Sequence, residues 1–129
     1  MKEFFIVFLG GGLGAMLRYL LSLLFGNIKV MTGVFTHLPL HTLMANLLGS
    51  FMIGVFFLLS EHIKISADTR IFLTVGLCGG LTTFSTFSAE NFEMLRLGMY
   101  SQFIAYTLIS IILCLSMVAL GYYLSRNLM

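Results

Sequence analysis

Apolar residues gather into four long stretches, roughly Phe4 to Leu24, Leu40 to Leu59, Arg70 to Met94 and Ser101 to Leu124. Each is close to the roughly 20 residues an α-helix needs to cross hydrocarbon. The pattern predicts an all-α integral membrane protein with four transmembrane helices, residues 1–129 forming a single four-helix membrane domain. The connection Phe25 to Pro39 contains Gly26, Asn27, Gly33 and the only proline, so it reads as a turn region. Ser60 to Thr69 carries Glu61, Lys64 and Asp68, a solvated connection, and only Arg96 to Tyr100 joins the last two spans, which makes them antiparallel neighbours. Lys2 followed by Phe4 to Leu24 has the outline of a signal peptide. The stretch is longer than such a segment, however, it contains Arg18, and three more spans follow, so it reads as a retained helix.

Polar and small residues inside the spans are the next layer. In the third span Gly76, Gly79 and Gly80 precede Thr82, Thr83, Ser85, Thr86 and Ser88. Glycine disfavours a continuous helix, and non-helical backbone survives at membrane depth only when buried in protein or lining a polar cavity. Packing accounts for the glycines alone but not for five hydroxyls in the next eight positions, so a break suited to an ion is predicted here. Phe84 and Phe87 share one face beyond it. They read either as ordinary lipid-facing or core rings, or as rings turning electropositive edges toward an anion. Glu90 and Glu93 follow at a solvated or hydrogen-bonded mouth.

Thr42, Asn46, Ser50 and Gly54 recur every fourth residue in the second span. The Asn46 carboxamide demands partners in hydrocarbon, either as an interhelical hydrogen bond or as a donor facing an anion. In the first span Gly10/Gly14 and Gly11/Ala15 allow close helix packing. Arg18 either snorkels to the interface or stands at an anion entrance. The fourth span offers Tyr106, Ser110 and Cys114 at four-residue spacing; Tyr106 and Ser110 read either as a continuing hydroxyl track or, for the serine, as back-bonding to its own helix.

Composition narrows the class. The chain of 129 residues is 59% hydrophobic and 9% charged with a mean hydropathy of +1.03, more apolar surface than one small soluble core can hide. A multi-pass protein of the inner or plasma membrane follows. Net charge of +2 gives no reason to expect a nucleic-acid partner, and Cys78 and Cys114 read as small packing residues in apolar spans. Lys2, Lys64, Arg70 and Arg126 fall on one side, Lys29 and Arg96 on the other, with Arg18 hard to assign. That bias is small enough to permit insertion in either orientation and pairing of two opposed copies. A proton-coupled exporter needs a titratable carboxylate deep in a span, and a non-conducting assembly subunit leaves the Thr/Ser/Phe break unexplained. His37, His41 and His62 lie in or beside loops with no nucleophile–base spacing, so an enzyme is the least supported class.

The combination resembles the Fluc (CrcB) fluoride channel family: GGGLGAMLRY at 10–19, TLMANLLGSF at 42–51, GLCGGLTTFSTFSAENF at 76–92 and ALGYY at 119–123, in order along the whole chain. The resemblance implies a channel, not an enzyme, that passively lets cytoplasmic fluoride out of the cell and so relieves its toxicity. It also implies an antiparallel, dual-topology homodimer in membrane lipid. Phe84, Phe87, Asn46, Tyr106, Ser110, Thr83 and Ser85 would then belong to the fluoride pore, with Arg18 at its entrance. Gly79 and Thr82 would lend backbone carbonyls to a structural, untransported sodium ion (Na+) at the dimer centre, two from each chain. Where family members often continue the fourth-span track with hydroxyls, this chain has Cys114 and Val118, a weak donor and none.

Overall fold

The computed structural model describes residues 1–26, 38–62 and 65–128. Among them, four helical stretches are long and apolar enough to cross a membrane: Lys2–Phe25, Leu40–His62, Ala67–Arg96 and Tyr100–Asn127. Each expected stretch lies inside one of them. The first two are α1 (Lys2–Phe25) and α2 (Leu40–His62), and the last is α6 (Tyr100–Leu128). The third is composite: α3 (Ala67–Ile71), a wide-turned π segment (Phe72–Cys78), α4 (Gly79–Leu81), an extended pair, and α5 (Phe84–Arg96).

The expected connection from Ser60 to Thr69 is helical at both ends: α2 carries on through Glu61 and His62, and α3 opens at Ala67. Ser66 caps α3 by accepting the Thr69 N–H at 3.1 Å. Asn27, Lys29, Gly33, His37 and Lys64 lie outside the described residues. After α5 the chain turns at Gly98, whose φ of +72° suits a residue without a Cβ. The Met99 N–H bonds the Met94 carbonyl at 2.8 Å and the Gly98 N–H bonds the Leu95 carbonyl at 3.1 Å, closing the helix end and launching α6 in the opposite direction.

Glycine sets which helices meet. A Cβ on Gly10 would lie 2.7 Å from the Phe72 carbonyl oxygen, and one on Gly14 would lie 2.7 Å from the Leu81 amide nitrogen. A Cβ on Gly80 would strike the Gly11 carbonyl. Helix α1 therefore lies backbone to backbone on the π segment and α4. A second such crossing joins α2 and α6, with Gly54 against Val118 and Tyr122, and Gly121 against Phe51 and Val55. The first half of the third span packs on α1, while α6 leans mainly on α2 and less on α5. The antiparallel neighbour relation between the third and fourth spans thus holds for α5 alone. Buried apolar side chains are few, centred on Leu43, Met94 and Tyr106. Phe4, Phe8 and Met16 of α1 remain largely exposed, as suits a helix whose solvent is lipid.

Candidate functional site

The break falls at Thr82 and Thr83, whose ψ angles of 156° and 118° are extended. It follows the glycines instead of including them: Gly79 and Gly80 stay helical, and Gly80 serves close packing. Two extended residues leave backbone groups that no water can satisfy at this depth. Asn46 meets both needs of Thr83. Its Oδ1 accepts the Thr83 N–H at 2.8 Å, and its Nδ2 donates to the Thr83 carbonyl at 3.2 Å. The interhelical reading of Asn46 is therefore realised, aimed at main chain, while one Nδ2 hydrogen is left over. The Thr83 hydroxyl caps α5 by accepting the Thr86 N–H at 3.2 Å, and it also lies 3.0 Å from Thr86 Oγ1 and 3.2 Å from Ser85 Oγ. The N-terminus of α5, positive end of its peptide dipoles, is thereby fixed midway along the span.

A groove of about 400 Å³ opens beside the break, lined among others by Asn46, Ser50, Thr83, Phe84, Ser110 and Cys114. No charged residue lines it. Phe84 and Phe87 stand with ring centroids 5.8 Å apart, and Phe87 and Tyr106 with centroids 5.1 Å apart, tilted in both cases. These are attractive aromatic separations, and they make a row of three rings. Phe84, at 79% exposed, is the open end of that row; Tyr106, at 1%, is its buried end. Ser110 is also buried, yet its hydroxyl has no hydrogen-bond partner. A buried hydroxyl of this kind has donor capacity to spare. Ser85 is exposed at the start of α5.

One expected pore residue and the expected entrance residue border other spaces. Tyr106 is not among the residues lining the groove, and its hydroxyl donates to Glu90 Oε2 at 2.7 Å. Arg18 lines a separate cavity of about 320 Å³ on the α1 side, with His41, Thr42, Thr83 and Thr86, and its Nη1 donates to the Thr82 carbonyl at 3.3 Å. It neither reaches out along the helix nor faces the groove. Thr83 alone among the threonines borders both spaces.

Glu90 was expected at a solvated or hydrogen-bonded mouth, and it is the second of these. Thr42 Oγ1 donates to Glu90 Oε1 at 2.6 Å, and His41 Nε2 lies 3.5 Å from the same oxygen. Glu93 is exposed and pairs with Arg96 at 2.7 Å. Asn91, buried, donates to the Phe87 carbonyl and accepts from Thr107 Oγ1, both at 2.9 Å, which ties α5 to α6. The stripe on α2 therefore serves four different neighbours: Glu90 for Thr42, the break for Asn46, the groove for Ser50 and α6 for Gly54. Sequence spacing showed the stripe but not its targets. An ionisable Glu90 within a span was itself the signal for His41 and Thr42.

For a cation, the donor set is neutral oxygen only: no cluster of three His, Cys, Asp or Glu suited to a metal occurs among the described residues. The Thr83 N–H, which a continuous helix would give to the Gly79 carbonyl, goes to Asn46 instead, and Gly79 is exposed. A neutral carbonyl oxygen of this kind fits a hard monovalent ion. The Thr82 carbonyl fits less well in one chain, since the Arg18 guanidinium competes for the same oxygen.

Residues 5–122 match the family described as CrcB-like protein, Camphor Resistance (CrcB). The chain is 44% identical over 126 residues to the fluoride-specific ion channel FluC of Phocaeicola vulgatus, covering 98% of this chain and 100% of the relative. It is 42% identical over 127 residues to FluC of Bacteroides fragilis, with 98% of each covered. FluC of Methanococcus maripaludis is 45% identical over 121 residues, 94% of this chain and 93% of that protein.

Proposed function

The chain belongs to the CrcB-like family and is a multi-pass protein of the cell membrane, and on that premise we propose that it is a fluoride-specific ion channel, not an enzyme, exporting the ion passively from the cytoplasm. The observation that supports this most is the uncharged groove at the break, lined by Asn46, Thr83 and Ser110 beside a row of aromatic rings. Fluoride is small and holds its water tightly, so a path for it must replace water with donors at each step. Ser110, the spare Asn46 hydrogen, the threonine hydroxyls and the edges of Phe84 and Phe87 supply such donors without a fixed positive charge that would trap the ion. Tyr106 acts from behind, seating Phe87 while Glu90 holds its hydroxyl. Arg18 serves at the entrance, where its charge draws anions toward Thr83, the residue bordering both spaces.

The working unit in this reading is an antiparallel homodimer of dual topology. The exposure of Gly79, the 79% exposure of Phe84 and the small Lys/Arg bias all favour a second copy across a two-fold axis in the membrane plane. The Gly79 and Thr82 carbonyls of each copy would hold one sodium ion, with the Arg18 contact to Thr82 yielding as the copies meet. When bound, that ion supplies fixed positive charge and fastens the two broken helices together. In a tag-accessibility assay on whole cells, equal populations of both orientations are expected; one fixed orientation removes the antiparallel dimer.

The test of function is flux. Purified protein in liposomes should release fluoride electrogenically while chloride stays behind, with Phe84→Ile and Phe87→Ile slower than wild type. Chloride release at a comparable rate, or a requirement for a proton gradient, would end the channel reading.

A further inference from the structure

The cavity on the α1 side holds a group to which the conduction path described above assigns no task. His41, at the start of α2, shares that cavity with Arg18, Tyr19 and Ser22 of α1 and with Thr83 and Thr86 at the break. Its Nε2 is 3.5 Å from Glu90 Oε1 on α5, and its side chain is 33% exposed, so protons reach it. Glu90 accepts a hydroxyl at each carboxyl oxygen, from Thr42 at 2.6 Å and from Tyr106 of α6 at 2.7 Å. The charged and titratable groups facing His41 among the described residues are therefore Arg18 and Tyr19 from α1, Glu90 from α5 and, through Glu90, Tyr106 from α6.

Charge arithmetic follows from that list. With His41 neutral, the Arg18 guanidinium and the Glu90 carboxylate cancel at the cavity. With His41 protonated, Glu90 is offset locally and the cavity carries a net positive charge beside Thr83. We infer that His41 is a positioning residue for fluoride capture, its protonation converting a neutral mouth into an attracting one. The inference rests on the channel reading and deepens it. Acid favours the protonated imidazole, so capture strengthens as pH falls. The chemistry concerns capture alone. Flux at low fluoride rises, the maximal flux at saturating fluoride stays, and added inert salt weakens the pH effect by screening.

The experiment is fluoride efflux from liposomes at fluoride well below saturation, between about pH 8 and about pH 6, with protein-free vesicles at each pH to subtract leakage of HF. Wild type is expected to speed up about fivefold on acidification at low ionic strength. His41→Gln is expected to run at the slow rate throughout, and His41→Lys, permanently charged, at the fast rate throughout. Where His41→Lys does not assemble, His41→Gln alone decides. A His41→Gln protein that keeps the wild-type pH profile overturns the inference, as does a wild type that conducts well but equally at both pH values. A wild type that passes no fluoride at any pH overturns the channel reading itself, and the role of His41 with it.

Discussion

Replacing Asn46 with leucine is expected to abolish fluoride efflux from liposomes while the protein still inserts into membranes. Leucine fills a similar volume, but it strands the Thr83 N–H and the Thr83 carbonyl, which Asn46 now holds at 2.8 Å and 3.2 Å. Each stranded backbone group in hydrocarbon costs several kcal/mol. The chain escapes that cost by rewinding or shifting the break, which moves the Thr83 hydroxyl and the first turn of α5 away from the groove. A penalty of about 1.4 kcal/mol on the conducting arrangement already removes nine-tenths of it, so the loss should exceed tenfold. Efflux near the wild-type rate in Asn46→Leu would show that the break holds itself open, and that the carboxamide is incidental.

Gly14→Ala should be among the most damaging added methyls at the described glycines. The added carbon meets only backbone: the Leu77 carbonyl, the Leu81 nitrogen at 2.7 Å and the Gly80 carbonyl carbon at 2.9 Å. No rotamer relieves such a clash, so α1 must back away from α4, at a cost of about 1–3 kcal/mol. Arg18 stands one helical turn beyond Gly14 on the same face, and it is carried away from the Thr82 carbonyl. A lower unfolding temperature in detergent and reduced flux are expected together. Gly12→Ala is the matched control, since a Cβ there meets nothing within 4 Å. If the two variants unfold at the same temperature and conduct alike, the close crossing contributes nothing.

The four spans were legible because lipid imposes a length and a polarity on any helix that crosses it, and the break was legible because glycines and hydroxyls crowd one span. Its extent was not. The stretch from Gly76 to Thr83 read as poor helix material, and only Thr82 and Thr83 leave the helix; a close neighbour can make glycine the best residue in a helix, and Gly80 lies against Gly11. Tertiary packing overrode propensity there. The wide turns from Phe72 to Cys78 carry no signal in residue type, since they depend on how α1 presses on the segment. Among site residues, Asn46, Thr83, Phe84, Phe87 and Ser110 were found by being polar or aromatic where lipid-facing residues were due, and they meet at one groove or its edge. Tyr106 and Arg18 were found by the same reasoning but face other spaces, because spacing along one helix does not say which neighbour lies opposite. Glu90 was expected at a hydrogen-bonded mouth, but its partners His41, Thr42 and Tyr106 emerged only when α2, α5 and α6 were placed together.

The interruption at Thr82 and Thr83 splits one spanning helix in two and plants the N-terminal end of α5 between the two halves. The partial positive charge there belongs to peptide groups and to no side chain. Acid cannot titrate it, oxidation cannot remove it, and no replacement of a single residue deletes it, because every residue type but proline carries the same amide. A lineage whose side chains drift at this site keeps its leaning toward anions as long as the kink survives. What drift can change is where that end points, so natural variation should tune the rate of passage far more readily than the sign of the ion that passes.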